Sequence, residues 1–393
     1  MSHFNTLPTP PMTSEEETLT SLQSSNPSDS MSSSLSNLTI QPNPLSLEER
    51  IQLALSVSEE CISEDGLRQL FTNKPTAPIC YDGFEPSGRM HIAQGIQKSI
   101  NVNKLTRSGC HFVFWVADWF AQLNNKMNGD LKKIQVVGNY FIEVWKACGM
   151  DMTHVEFKWA SEEINKNPEK YWKLVMDIAG KNSLQRILRC CTIMGRKEGD
   201  ELSAAQIMYP CMQCADVFYL KADICQLGMD QRKVNMLARE YCDSVKPKIK
   251  NKPVILSHHM MPGLKQGQEK MSKSNPESAI FMEDSENEVK TKIKKAFCPP
   301  NEVSGNPCLE YVKYLVFGKY GKMEIVVDGT VKCYEIYDIL EEDYVKGVIH
   351  PGDLKTALAK SINEMLKPVR EHFETNEDAK QLLSQVKKYR VTK

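Results

Sequence analysis

The chain has 393 residues, 41% hydrophobic and 25% charged, enough to bury a large core and, by length, to form two domains. Its formal net charge of −1 excludes a global field for holding nucleic acid, so any RNA contact has to come from local basic patches. No apolar run approaches the ~20 residues of a membrane helix, and 13 scattered cysteines point to free thiols in a reducing compartment.

Residues 1–45 are rich in Ser, Thr, Pro and Asn and nearly free of aromatic side chains. Such a segment cannot bury enough apolar surface to offset its ordering entropy, so it is expected to be disordered. It holds Glu15, Glu16 and Glu17 and no Lys or Arg, the reverse of an Arg-rich transit peptide, which favours a cytoplasmic protein. A helix is expected from about Leu45 to Phe71, opened by Ser46 and Glu49 as a capping box. An alternation follows. Strand-like Ile79–Phe84 leads through Pro86-Ser87-Gly88 into a helix from about Met90. Strand-like His111–Ala117 precedes a helix over Leu131–Gly149, and Val155–Trp159 precedes helices near Tyr171 and Leu184. Strand-like Tyr219–Gln226 turns at Gly228 into a helix near Asp230, and Pro253–Ser257 ends the series. Strands alternating with helices predict a doubly wound parallel sheet that binds ligands at the carboxyl ends of its strands. Beyond about residue 280 the pattern becomes mainly helical and locally basic, with a β-rich stretch over Met323–Tyr337, which suits contact with RNA phosphates.

Three constellations carry chemistry. The first runs from Gly83 to Gly95, from a strand end through a Gly/Pro turn to a helix start, where free N–H groups face an anion and His91 can donate to a phosphate oxygen. Its plain reading is a capped helix with a surface histidine. The second, Lys270-Met271-Ser272-Lys273-Ser274, places two lysines on a Gly-flanked loop that can clamp a triphosphate; its plain reading is a solvated basic loop. In the third, Tyr209, Gln213 and Asp216 follow at spacings of four and three, one face of a helix, with Pro210 suited to the helix start. A solvated polar face is the plain alternative. Gly228-Met229-Asp230-Gln231-Arg232 forms a second strand-to-helix turn. Cys211 and Cys214 have the spacing of half a zinc site, but no matching second pair exists, so buried thiols and no protein metal are expected.

Together the first two motifs resemble the signatures of the class I aminoacyl-tRNA synthetases. The second matches letter for letter; the first has Ala93 and Gln94 where the family more often has Gly and His. The stretch from Tyr209 to Arg232, with Tyr81, resembles the tyrosyl enzymes of the archaeal and eukaryotic branch, and the resemblance spans about 50 to 393. It implies a Rossmann-like α/β catalytic domain over 46–280 and a C-terminal, mainly helical anticodon-binding domain over 281–393. It implies that Tyr81 and Asp216 hold the phenol hydroxyl of tyrosine, that Tyr209, Gln213 and Gln231 hold its amino and carboxylate ends, and that Asp118 adds a polar pocket position. ATP would lie against Gly83, Gly95 and Gly228, with Asp230 on its ribose and His91, Lys270 and Lys273 on its phosphates, accompanied by Mg2+. A homodimer with its interface near 130–200, and tRNA(Tyr) as partner, are implied as well. In His350-Pro351-Gly352-Asp353, Asp353 would read the first anticodon base. Ile325 stands where archaeal relatives stack an aromatic ring on that base, and Tyr334 is an alternative. Two competing readings are a tryptophanyl enzyme, disfavoured because an indole only donates, and a catalytically silent binding paralogue, disfavoured by His91, Asp230, Lys270 and Lys273.

Overall fold

The structure, a computed structural model, describes residues 43–74, 76–197, 199–271 and 276–389. The first 42 residues and Lys273 of the lysine loop lie outside the described residues.

The capping box forms as the spacing predicts. Ser46 Oγ accepts from the Glu49 amide at 3.3 Å, and Glu49 Oε2 accepts from the Ser46 amide at 2.8 Å. The helix it opens, however, ends at Leu55. The single helix expected to Phe71 is two, Leu47–Leu55 and Glu64–Asn73, separated by strand β1 (Glu60–Ile62). The break follows from Ser63, which caps the second helix by accepting from Gly66 N at 3.0 Å, and from β1 pairing antiparallel with β6 (Val254–Ser257).

The same sheet contains β2 (Ile79–Phe84), β3 (His111–Val116), β4 (Val155–Trp159) and β5 (Ile224–Cys225). The sheet order is β1-β6-β5-β2-β3-β4, all parallel apart from β1. From β2 the chain winds outward through β3 and β4, then returns to the other side of β2 with β5 and β6. The order therefore reverses between β2 and β5, and a crevice opens at their carboxyl ends. Side chains alternate as a pleated sheet requires. Cys80, Phe112, Phe114, Ile224 and Leu256 enter one core, whereas Tyr81, Trp115, Cys225 and Ile255 enter a second.

The second core is roofed by the Ala204–Tyr219 helix, which consumes the start of the strand expected over Tyr219–Gln226. Its start is set by another capping box, Ser203 with Gln206, not by Pro210, which lies inside the helix. Proline removes the donor that the Gln206 carbonyl would receive, and the Cys191 thiol donates to that carbonyl instead at 3.7 Å. The C-terminal segment contains the helix Glu286–Lys295, a hairpin of β7 (Met323–Val327) and β8 (Thr330–Tyr334), and helices Tyr337–Val345, Pro351–Thr375 and Glu377–Lys388. Asp328-Gly329, both at positive φ, makes the tight hairpin turn. The first core continues without interruption into these helices, with the Tyr140 and Phe373 rings 5.6 Å apart. Among the described residues no helix is long and apolar enough to cross a membrane.

Candidate active site

A cavity of about 290 Å³ occupies the crevice at the ends of β2 and β5, near the lower end of the ~300–1,000 Å³ of small-ligand pockets. Tyr209, Gln213 and Asp216 all line it, so the helix face inferred from their spacing points into one space. Tyr81, Gln231, Gly83, Gly228 and Asp230 line it too.

Asp216 is 1% exposed. Its Oδ1 accepts from the Tyr171 hydroxyl at 2.7 Å, while Oδ2 has no hydrogen-bond partner among the described residues. Burial raises its pKa well above the ordinary carboxylate value, opposed by the phenols of Tyr171 and Tyr81. A buried acceptor without a donor costs ~1–3 kcal/mol, so this oxygen is poised for a ligand hydroxyl. Tyr81 reaches the pocket because Gly83, two residues along the same strand face, has no side chain; a Cβ there would stand 3.0 Å from the Tyr81 hydroxyl. Farther up the helix, the Tyr209 hydroxyl donates to Glu85 Oε1 at 2.7 Å, and Asn124 Nδ2 donates to the same oxygen at 3.0 Å. Gln213 Nε2 donates to Gln231 Oε1 at 3.1 Å, and Gln231 Nε2 to the Ile193 carbonyl at 3.1 Å. These bonds hold both amides in fixed orientation.

Four expected positions, Asp118, Gly95, His91 and Lys270, are not among the residues that line the cavity. Asp118 is fully buried but does not line the cavity. Its Oδ1 accepts from the amides of Trp119 (2.9 Å) and Ser161 (3.0 Å) and its Oδ2 from the Ser161 hydroxyl (2.6 Å), tying the end of β3 to the Ala160–Lys166 helix. Gly95 does not line the cavity either. A Cβ there would overlap Met282 Sδ and lie 2.8 Å from Met282 Cγ, so the glycine permits close packing against Met282.

That packing joins the two motifs, about 180 residues apart in the chain. Ile92 N donates to the Ile280 carbonyl at 2.8 Å, Met282 N donates to the Met90 carbonyl at 3.0 Å, and His91 bridges Phe281. The segment leaving the lysine loop is thereby stitched to the start of the first motif's helix. His91 Nδ1 accepts from Gln94 N at 3.4 Å, while Lys270, largely exposed, extends Nζ to 3.8 Å from Asp230 Oδ2. Gln94 lines the cavity with its side-chain oxygen buried and unbonded among the described residues. Gly228 leaves the room that Asp230 needs, since a Cβ would come within 2.7 Å of Asp230 Oδ1.

Sequence reasoning passes over several lining or supporting residues. Glu85 lies inside the first motif, between Gly83 and Gly95, where an acid in the turn is its signal. Tyr171 repeats with Val175 and Ile178 on an apolar stripe, which reads as core. Asp82, Lys98 and His258 carry no local signal, because only the sheet order brings them together. Asp82 and Lys98 are both buried and ion-paired, and burial raises the Asp82 pKa against the pull of Lys98.

In the C-terminal segment, His350 caps the Pro351–Thr375 helix, its Nδ1 accepting from Gly352 N at 3.0 Å. Asp353 occupies the first turn of that helix, and its side chain makes no hydrogen bond or ion pair among the described residues. The same turn borders a groove of about 900 Å³ lined by Lys290, Lys294, Lys355 and Lys360. Ile325 and Tyr334 are 1% and 2% exposed, so neither can stack on a base; the Tyr334 hydroxyl donates to Asp343 Oδ2 at 2.9 Å.

A parallel sheet with a switch-point cavity, a Gly/Pro turn and, bonded to the helix after that turn, the segment Ile280–Met282 are the features of a class I aminoacyl-tRNA synthetase. The family model of class I tRNA synthetases (W and Y) matches residues 72–367. The tyrosine–tRNA ligase 1, cytoplasmic, of Arabidopsis thaliana is 63% identical over 350 residues, covering 88% of this chain and 90% of the relative. The tyrosyl-tRNA synthetase of Leishmania major in complex with tyrosinol superposes with a TM-score of 0.83 at 54% identity, over 88% of this chain; the match spans 61% of the Leishmania chain. The Pyrococcus horikoshii tyrosyl-tRNA synthetase complexed with L-tyrosine superposes at 0.79 with 34% identity, over 86% of this chain and 100% of that one. This chain belongs to the tyrosine–tRNA ligase family.

Proposed function

We propose that the cavity between β2 and β5 activates L-tyrosine with ATP, giving tyrosyl-adenylate and pyrophosphate, and then passes the tyrosyl group to the 3′ end of tRNA(Tyr) in cytoplasmic protein synthesis. The observation that carries this reading is the open, buried Oδ2 of Asp216 at the deep end of a helix face shared with Tyr209 and Gln213. A phenol hydroxyl donates to Oδ2 and can accept from Tyr81. An indole N–H can only donate, so it could not also accept from Tyr81 as a phenol hydroxyl can. Two turns separate Asp216 from Tyr209, a rise of ~10 Å, about the span from the phenol to the amino end of tyrosine. Tyr209, Gln213 and Gln231 then meet the amino and carboxylate groups.

On the nucleotide side, Gly83 and Gly228 leave the backbone open to ATP and Asp230 accepts from the ribose. His91, Lys270 and Lys273 neutralise phosphate charge as the tyrosine carboxylate attacks the α-phosphate. Catalysis is positioning plus electrostatic stabilisation, with no covalent enzyme intermediate. Mg2+ enters on the phosphates of ATP and is assigned no cage of side chains. Residues 46–280 form the catalytic domain in this reading, and 281–393 the anticodon-binding domain, where Asp353 meets the first anticodon base and the lysine groove meets phosphates. The chain acts as a homodimer: Met176, Leu184 and Met208 are 63%, 58% and 44% exposed on helices in and beside 130–200, an apolar surface that a second copy would cover.

Pyrophosphate exchange measured with tyrosine, tryptophan and phenylalanine tests the reading. Exchange that depends on tyrosine supports it. Exchange with tryptophan alone, or with none of the three, would overturn it.

A further inference from the structure

Beside Gly228 the cavity holds a buried polar chain with no role in the assignment above. Asp82, at the end of β2, pairs with Lys98 Nζ. Lys98 Nζ also donates to Gln226 Oε1 at 3.3 Å, and Gln226 Nε2 lies 2.8 Å from His258 Nδ1. A lysine ammonium has only protons to offer, so the Gln226 atom facing it is the carbonyl oxygen and the amide nitrogen faces the imidazole. That nitrogen also only donates, so Nδ1 of His258 accepts. In a neutral ring the remaining proton then sits on Nε2. Burial, and after it the charges of Lys98 and His259, hold the His258 pKa well below its ordinary value, which keeps the ring neutral.

Nε2 is open toward the cavity. His258 and Gly228 both line it, and Nε2 lies 3.5 Å from the point where a Gly228 Cβ would stand. No described residue accepts from Nε2. The backbone of His258 bridges that of Gly228, which places the ring at the strand end that leads to Asp230, apart from the helix face assigned to tyrosine. We propose that Asp82, Lys98 and Gln226 fix His258 as a neutral Nε2–H donor to the nucleoside of ATP. This rests on the assignment of ATP to the cavity. The carboxylate of Asp230 can only accept, from ribose hydroxyls. Adenosine also presents acceptors, its ring nitrogens and ribose oxygens, and His258 supplies the donor they need without adding charge.

The test is steady-state pyrophosphate exchange with His258→Leu, His258→Gln and Lys98→Met, together with nitrogen NMR of the labelled wild type. Losing one hydrogen bond should raise KM for ATP about tenfold in His258→Leu, with KM for tyrosine and kcat changed less than about twofold. Glutamine places an N–H near the same point and should restore most of the loss. The wild-type His258 ring should show the neutral Nε2–H signature, and Lys98→Met should mix in the other tautomer. An unchanged KM for ATP in His258→Leu overturns the proposal. So does a wild-type Nδ1–H signature, or a glutamine variant as impaired as leucine, which would mark a packing role. A wild type without tyrosine-dependent exchange overturns the ATP assignment itself, whereas normal exchange with an indifferent His258 removes only the donor.

Discussion

The burial that would suit Asp216 to receive a phenol hydroxyl is also a liability in stability. Its carboxyl pKa in the folded state lies above the ordinary 3.8, with burial as the main cause. Folding therefore favours the protonated form: the contribution to stability is full below the unfolded value and is lost as pH rises through the folded one. Asp216→Asn has no proton to lose, so the ligand-free variant should unfold later than wild type at neutral pH, by ~1–3 kcal/mol, and the gap should close toward pH 4. Denaturant melts across pH measure this; parallel curves at all pH values would remove the buried charge as the cause. Selectivity gives a second readout of the same residue. Asp216→Ala should reduce tyrosine activation strongly and phenylalanine activation little, because only tyrosine has a hydroxyl for Oδ2. Gln213→Ala should harm both alike if it meets the groups that the two amino acids share. An Asp216→Ala enzyme that keeps the wild-type preference would refute the assignment of the helix face to the phenol.

Elements matter here through what they hold together. The Pro210 helix survives an internal proline because the Cys191 thiol meets the carbonyl left without its amide donor. The first motif's helix is held to the segment after the lysine loop through Gly95 and Met282. Gly95→Ala should cost about 1–3 kcal/mol through overpacking, and Met282→Ala in the same chain should recover part of it by removing the colliding side chain. Additive losses in a double-mutant cycle would show that the two do not communicate. The lysine loop itself is expected to act on the transition state. Lys270→Ala should slow adenylate formation roughly 10²-fold while leaving tyrosine affinity near wild type, as loss of a preorganised cation does. Equal rates in single-turnover assays would take Lys270 out of the mechanism.

At the scale of the molecule, two surfaces outside the cavity carry expectations. Asp353 sits in the first turn of a helix whose cap is His350, so a loss on its removal cannot be ascribed to an absent cap. Asp353→Ala should weaken tRNA charging and spare pyrophosphate exchange; equal losses in both would point to the fold. The apolar surface of Met176, Leu184 and Met208 should be covered by a second copy. Glu at 176 and 184 should convert the protein to monomers in sedimentation, and an unchanged mass would place any dimer contact elsewhere.

Sequence by itself determined the parts that are local in the chain. The turn from Gly83 to Gly88, the capping box at Ser46 and the shared face of Tyr209, Gln213 and Asp216 each depend on spacings within a few residues, and backbone geometry turns such spacings into faces and caps. The alternation of strands and helices likewise implied the parallel sheet, although the short edge strand β1 was hidden between two amphipathic helices and β5 was overextended into the helix before it. Tertiary structure alone decided what meets across the sheet order. Tyr171 on Asp216, Lys98 between Asp82 and Gln226, and Met282 against Gly95 join residues 16 to 187 positions apart, and nothing in either stretch of chain encodes its partner. It also decided which polar groups face the cavity and which are consumed behind it. Asp118 has the residue type of a pocket carboxylate, but three donors from Trp119 and Ser161 already occupy its oxygens. A buried polar atom must find a partner, and only the folded arrangement settles whether that partner is protein or ligand.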